Sequence, residues 1–207
     1  MDRAAGVFGL LGALVWLLAP VYFSPLDPNF DATRDIIGDL GAIGAPYAIE
    51  VRWLWFLPTG LLLTCFAVCA LIALPRSALT LLGMLGIMAF AVAYVGAVFF
   101  PCRLECLGLR PGVPYWLHGY VVGWGYILPP ITMWFLGYSA RQWPGGQWIA
   151  FLGYASAMAA LVCLPATLDP YGNTNGDWQR ALEASIMVPV MAISCYLLMR
   201  SKSSTAV

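Results

Sequence analysis

Long apolar blocks separated by short polar interruptions make up most of the chain. Six blocks stand out, running approximately from Ala4 to Tyr22, Trp53 to Leu74, Leu79 to Phe99, Trp116 to Tyr138, Trp148 to Leu164 and Ala181 to Met199. About 20 helical residues, at roughly 1.5 Å each, cross the ~30 Å hydrocarbon core of a bilayer. Each block is continuously apolar, whereas strands of membrane barrels alternate lipid-facing and lumen-facing residues over ~10 positions. The pattern predicts an all-α, polytopic integral membrane bundle of about six transmembrane helices, forming a single domain over residues 1–207. Arg3 ahead of an apolar run looks like the start of a signal peptide. The run is long, however, and no A-x-A cleavage site follows, so the first block reads as a retained span.

Composition strengthens this reading. Of 207 residues, 61% are hydrophobic and 10% charged, against ~25% charged in soluble domains, so a water-soluble fold would have nowhere to put its apolar surface. Zero net charge and no basic patch argue against nucleic-acid binding. Six spans put both termini on one side with Arg3, Arg76, Arg141, Arg200 and Lys202, and leave Arg34, Arg52, Arg103, Arg110 and Arg180 on the other. The first group is packed into short turns and tails, where the positive-inside rule is strongest, which predicts a cell-membrane protein with cytoplasmic termini. Nine of the ten acids, all but Asp2, lie on the outer side.

The interruptions differ in kind. The inner turns, at Pro75-Arg76-Ser77-Ala78 and from Ser139 to Gln147, are short and connective. Outer segments are longer and carry most of the charge. Prolines follow the outward ends of three spans, at Pro25, Pro101 and Pro165, where a missing N–H is expected to stop the helix. Pro129-Pro130 in the fourth span predicts a kink or local unwinding, and Gly119, Gly123 and Gly125 before it would admit a neighbouring helix. Trp53, Trp55, Trp116 and Trp178 at one boundary and Trp134, Trp143 and Trp148 at the other read as aromatic belts.

Candidate chemistry gathers on the outer side. Asp31, Asp35 and Asp39 recur every fourth residue and Ile36, Leu40 and Ile43 form a second stripe, which predicts an amphipathic outer helix over Asp31 to Pro46. The acids either face water or turn a carboxylate inward against Arg52, His118 or Arg180. His118, the only histidine, opens span four beside Trp116 as either an interfacial anchor or a proton relay. Glu183 opens span six one turn after Arg180; it forms a local ion pair or, facing the bundle, takes Arg52 or Arg103 as partner. Cys102 and Cys106 share an outer loop, where an oxidising compartment favours a disulfide. Cys65, Cys69, Cys163 and Cys195 lie in the spans as small hydrophobes. Two thiols without a histidine pair make half a zinc site, so no metal and no cofactor is expected. No charged residue is placed near the middle of a span, which argues against an ion-driven transporter. Walker, paired-histidine and G-x-S-x-G motifs are absent.

Three short elements carry a resemblance: Gly38-Asp39-Leu40-Gly41-Ala42-Ile43-Gly44-Ala45-Pro46, then Phe99-Phe100-Pro101-Cys102 with Cys106, then Leu117-His118-Gly119. In order and position they resemble the domain of unknown function 998 family of bacterial and archaeal membrane proteins, over most of the chain. The resemblance implies six helices with an outer polar cluster and supplies no activity. Arg103 stands where an acid is frequent in the family pattern.

These observations lead to an expectation of a membrane-embedded enzyme doing acid–base chemistry on a lipid-soluble substrate, an isoprenoid, quinone or other lipid, at the outer leaflet. Asp35, Asp39, His118 and Glu183 are the candidate catalytic residues, and Arg52, Arg180, Trp116 and Trp178 the candidate substrate-binding ones. The expected partners are membrane lipids and such a substrate. A non-enzymatic subunit of a membrane complex, with a protein partner the sequence does not identify, and a passive lipid or small-solute carrier are the alternatives.

Overall fold

The computed structural model describes residues 1–103, 113–169 and 171–203, with side chains described from Trp116 in the fourth long helix and as far as Arg200 in the last. Six long helices dominate: α1 (Asp2–Phe23), α4 (Leu57–Ala73), α5 (Ala78–Phe99), α6 (Val113–Ala140), α7 (Gln147–Thr167) and α8 (Asn175–Ser203). Two short helical pieces, α2 (Ile37–Leu40) and α3 (Ala48–Glu50), lie between α1 and α4. The long helices form a closed ring in which α1 packs on α4, α4 on α5, α5 on α6, α6 on α7, α7 on α8 and α8 back on α1.

Five long helical stretches are apolar and long enough to cross a membrane: Asp2–Leu26, Ala48–Ala73, Ala78–Phe99, Gln147–Thr167 and Asn175–Arg200. The sixth long helix, α6, has 28 residues and no Asp, Glu, Lys or Arg. Its many Trp, Tyr, Gly and Pro residues dilute the aliphatic signal, yet it stands between α5 and α7 in the ring. It therefore shares their thickness, and the protein is an all-α membrane bundle.

The helices are apolar all round, and side-chain size decides which face turns inward. On α1 the buried positions are Ala5, Gly6, Gly9, Gly12, Ala13 and Ala19, with Phe23 at the end, while Leu11, Leu14, Leu17 and Leu18 are exposed. Lipid tails are as apolar as leucine, so small residues that let backbones approach form the helix contacts. A Cβ at Gly9 would run into Ser194 Oγ and lie 2.7 Å from the Phe66 ring.

The start of α1 and the end of α8 lie at one end of the ring. Arg200 Nε pairs with Asp2 at 2.8 Å and its Nη2 donates to the Ala73 carbonyl at 2.5 Å, tying together α1, α4 and α8. Ser77 starts α5 at that end, its Oγ accepting from Thr80 N at 3.0 Å as an N-cap. The opposite end is covered by the α1–α4 connection.

That connection departs from the expected amphipathic helix. Between Asp31 and Pro46 it consists mostly of turns, with only the four residues of α2 helical. Glycines at 38, 41 and 44 interrupt any long helix, and Gly44 has φ 105°, a region that penalises side chains. The amphipathic character survives without the helix: Ile36, Ile37, Leu40 and Ala42 are buried, whereas Asp31, Thr33 and Arg34 are exposed. Ile43, expected on the apolar stripe, is exposed.

Smaller expectations are refined. Of the kink or local unwinding expected at Pro129-Pro130, the unwinding is not seen, since α6 is continuous through both prolines, and Thr132 Oγ1 donates to the Leu128 carbonyl at 3.0 Å nearby. Proline 165 lies inside α7, which continues to Thr167. Trp55 and Trp143 are buried in the core and do not belong to the boundary belts. Of the three glycines ahead of the proline pair in α6, Gly125 closely meets Ala93 on α5, while a Cβ at Gly119 or Gly123 meets nothing within 4 Å among the described residues.

Candidate functional site

The last helix begins earlier than its apolar block suggests, and this places Glu183 two turns inside the helix. Asn175 fixes the start of α8 by donating from Nδ2 to the carbonyls of Thr167 at 2.9 Å and Asp169 at 2.7 Å. Glu183 thus lies eight residues into α8, about 12 Å along its axis, and its residue exposure is 0%. A carboxyl group at that depth needs hydrogen-bond donors. Three supply them: Trp16 Nε1 on α1 and Tyr94 OH on α5 both donate to Oε2 at 2.6 Å, and Tyr126 OH on α6 donates to Oε1 at 2.5 Å. The expected arginine partners are replaced by two phenols and an indole from three different helices.

Gln179, one turn before Glu183, extends the network to the α1–α4 connection. Its Oε1 accepts from Ile37 N at 2.5 Å, and its Nε2 donates to Tyr126 OH at 3.1 Å. Because the backbone amide fixes which end of the carboxamide is oxygen, Tyr126 receives a proton from Gln179 and sends its own to Glu183.

Tyr94, Tyr126 and Gln179 also line a small cleft of about 50 Å³ that opens at the surface. His118 is the fourth polar group lining it; the remainder is Ile36, Ile37, Gly38, Phe56, Ala93, Ala97 and Val122. Glu183 stands behind the tyrosines. Phe56 reaches the cleft from a π-helical segment, Val51–Phe56, directly ahead of Pro58, which has no N–H for the turn before it. Both Trp55 and Phe56 are turned into the core there.

The three elements that carry the family resemblance meet above this cleft. Ile43 N donates to the Cys102 carbonyl at 2.8 Å, forming a one-residue parallel bridge between Ile43 and Arg103. His118 Nδ1 lies 2.7 Å from the Phe100 carbonyl. A carbonyl only accepts, so Nδ1 carries the proton and Nε2 is the nitrogen left over.

The other predicted residues are distributed as follows. Asp39 lies on α2 beside the lining residue Gly38. Asp35 pairs with Arg34 at 2.7 Å and accepts from Asp31 N at 2.8 Å. Arg52 Nε donates to the Ala48 carbonyl at 3.1 Å. Arg180 Nη1 donates to the Ala32 carbonyl, while its guanidinium sits 5.6 Å over the Phe30 ring. Neither arginine is among the residues lining the cleft, and Trp116 and Trp178 are exposed outside it. Cys102 is buried and carries no free thiol; Cys106, its expected partner, and Arg110 lie outside the described residues. Among the described residues no group of three His, Cys, Asp or Glu is arranged to hold a metal.

Sequence reasoning missed Trp16, Tyr94, Tyr126 and Gln179. A signal existed in part. Tyrosines deep in a span must find partners for their hydroxyls, and Gln179 and Glu183 are four apart, on one face of a helix.

The Asp35 pair locks the connection from outside. Burial opposes its ionisation, but the Arg34 hydrogen bond, the Asp31 N–H and the charges of Arg34 and Arg180 outweigh that and hold its carboxyl below the usual 3.8. A lowered folded pKa contributes stability above the unfolded value and loses it as pH falls through the folded one. Protection of the amides of residues 31–44, their exchange relative to an unstructured chain at the same pH, is therefore expected to be high at pH 7 and to fall only below about pH 4. In Asp35→Asn it is expected to be low at both. A transition near pH 6 would contradict this assignment.

Comparison with known proteins agrees with the convergence of these elements. A model of the family described as protein of unknown function (DUF998) matches residues 10–196. No curated protein and no solved structure gives a significant match. With nearly the whole chain matched, from mid-α1 to the last turns of α8, the protein belongs to the DUF998 family.

Proposed function

We propose that the protein is a membrane-embedded enzyme performing acid–base chemistry on a lipid-soluble molecule whose polar end enters this cleft at the outer leaflet, with both termini cytoplasmic. One observation carries the reading: a buried carboxyl is held by two tyrosines that, with Gln179 and the sole histidine, form the polar part of an otherwise apolar cleft. A purely structural carboxyl needs its donors but needs no cleft on their far side. An isoprenoid, quinone or other lipid suits the apolar lining. A proton leaving the bound molecule goes to His118 Nε2. Alternatively it goes to the Tyr126 oxygen while Tyr126 passes its own proton to Glu183, so the phenol stays neutral. Asp35, Asp39, Arg52 and Arg180 shape the loop that roofs the site.

The test compares lipid extracts, by liquid chromatography and mass spectrometry, from cells carrying wild-type protein, Tyr126→Phe, His118→Gln or no protein. At matched expression, the lipid species that depend on the wild-type protein are expected to fall to the level of the protein-free cells in both variants. Loss of about a hundredfold in turnover is typical when an acid–base group is removed. Identical lipid profiles in all four samples would contradict an enzymatic role.

A further inference from the structure

Hydrogen-bond accounting around the cleft goes one step beyond the proposed function, on which it rests. Each polar lining group has its protons assigned. Tyr94 and Tyr126 both donate to Glu183, so only the lone pairs of their oxygens remain. His118 donates from Nδ1 to Phe100, leaving Nε2 an acceptor in the neutral ring. Gln179 has its oxygen taken by Ile37 N and one amide proton by Tyr126. The Tyr126 oxygen already accepts from Gln179, so one amide N–H is the only donor left among these four side chains, against two acceptor atoms without a donor, the Tyr94 oxygen and His118 Nε2.

Charge points the same way. Among the described residues no arginine or lysine lines the cleft; Arg52 donates to the Ala48 carbonyl and Arg180, through Nη1, to that of Ala32. A phosphate or carboxylate, which only accepts, would face acceptors and the Glu183 carboxyl behind them without a cation to offset its charge. A bare carbonyl would leave most of those lone pairs unmatched. An uncharged hydroxyl supplies the missing donor and still accepts the spare Gln179 proton.

We infer that the molecule held here presents an uncharged hydroxyl: a lipid alcohol or a reduced quinol, in place of a phosphorylated lipid or a ketone. His118 and Tyr94 are then specificity-determining, because they read the presence of a donor.

The probe set is geranylgeraniol, its methyl ether and its diphosphate, which share one chain and differ in head group. Each is titrated into the purified protein in nanodiscs, and binding is read by native mass spectrometry. The alcohol is expected to bind at least about tenfold tighter than either analogue, the size of one buried acceptor left unmatched. In His118→Phe this preference is expected to shrink several-fold, and Val122→Trp, which fills the cleft, is expected to weaken alcohol binding. If the ether or the diphosphate binds as tightly as the alcohol and Val122→Trp abolishes that binding, the hydroxyl inference fails while the cleft reading stands. If no probe binds, or if Val122→Trp changes nothing, both fail. The wild-type ratios decide the inference even where a variant does not fold.

Discussion

Replacing Glu183 with alanine is expected to be the most damaging single change in the molecule. The substitution leaves Trp16 Nε1, Tyr94 OH and Tyr126 OH without their acceptor, in a region where Glu183 itself is fully buried. Each buried group left unmatched costs about 1–3 kcal/mol, so the loss is about 3 kcal/mol or more before the cavity is counted. For a chain of this size that corresponds to a fall in melting temperature of roughly 6–12 °C. Glu183→Gln is expected to be milder. Trp16 and Tyr94 share Oε2, so an amide oxygen placed there keeps both bonds, and only Tyr126 must reorient. Melting in detergent, followed by intrinsic tryptophan fluorescence, gives the order wild type, Gln, Ala. Equal melting of all three would mean that the carboxyl does not hold the helices together.

The second large effect is expected at Gly153, which sets the distance between α6 and α7. A Cβ there would lie 2.8 Å from Gly137 Cα, 3.0 Å from Gly137 N and 3.3 Å from the Met133 carbonyl oxygen. All three are backbone atoms and cannot rotate away. Gly153→Ala must therefore push the helices apart, at about 1–3 kcal/mol, and Gly153→Leu at more. Because α6 also carries Tyr126 and His118, the displacement is expected to weaken ligand binding along with stability. Gly123→Ala is the control. A Cβ there meets nothing within 4 Å among the described residues, and replacing a helical glycine gains about 0.5–1 kcal/mol of propensity. Its melting temperature is expected to match or exceed wild type. Similar behaviour of the two variants would contradict the packing described for α6 and α7.

Much of the architecture is written in the apolar blocks, because a backbone in lipid must bond to itself and a continuous apolar run has few other options. Block ends are less legible. Asn175 to Arg180 is polar enough to read as a loop, yet its backbone is helical; Gly176 N and Asp177 N donate to the Arg34 and Thr33 carbonyls at 3.1 Å, so the α1–α4 connection caps α8. Reading those residues as loop placed Glu183 at a boundary and gave it arginine partners. Similarly, the four-residue spacing of Asp31, Asp35 and Asp39 mimics a helix face. In the structure the same spacing lets the Asp35 carboxylate reach Asp31 N and close a turn. His118 and Glu183 were legible as rare ionisable groups in apolar surroundings. Their tyrosine partners were not, since which faces of α5 and α6 meet α8 depends on ring closure and leaves no local periodicity.

A structure of the protein in lipid nanodiscs tests the central claim most directly. Elongated density is expected between α5 and α6, its polar end touching Tyr94, Tyr126 and His118, with Glu183 dry behind them. Finding the cleft collapsed, or Glu183 turned toward lipid or bulk water with its aromatic donors dispersed, would contradict it.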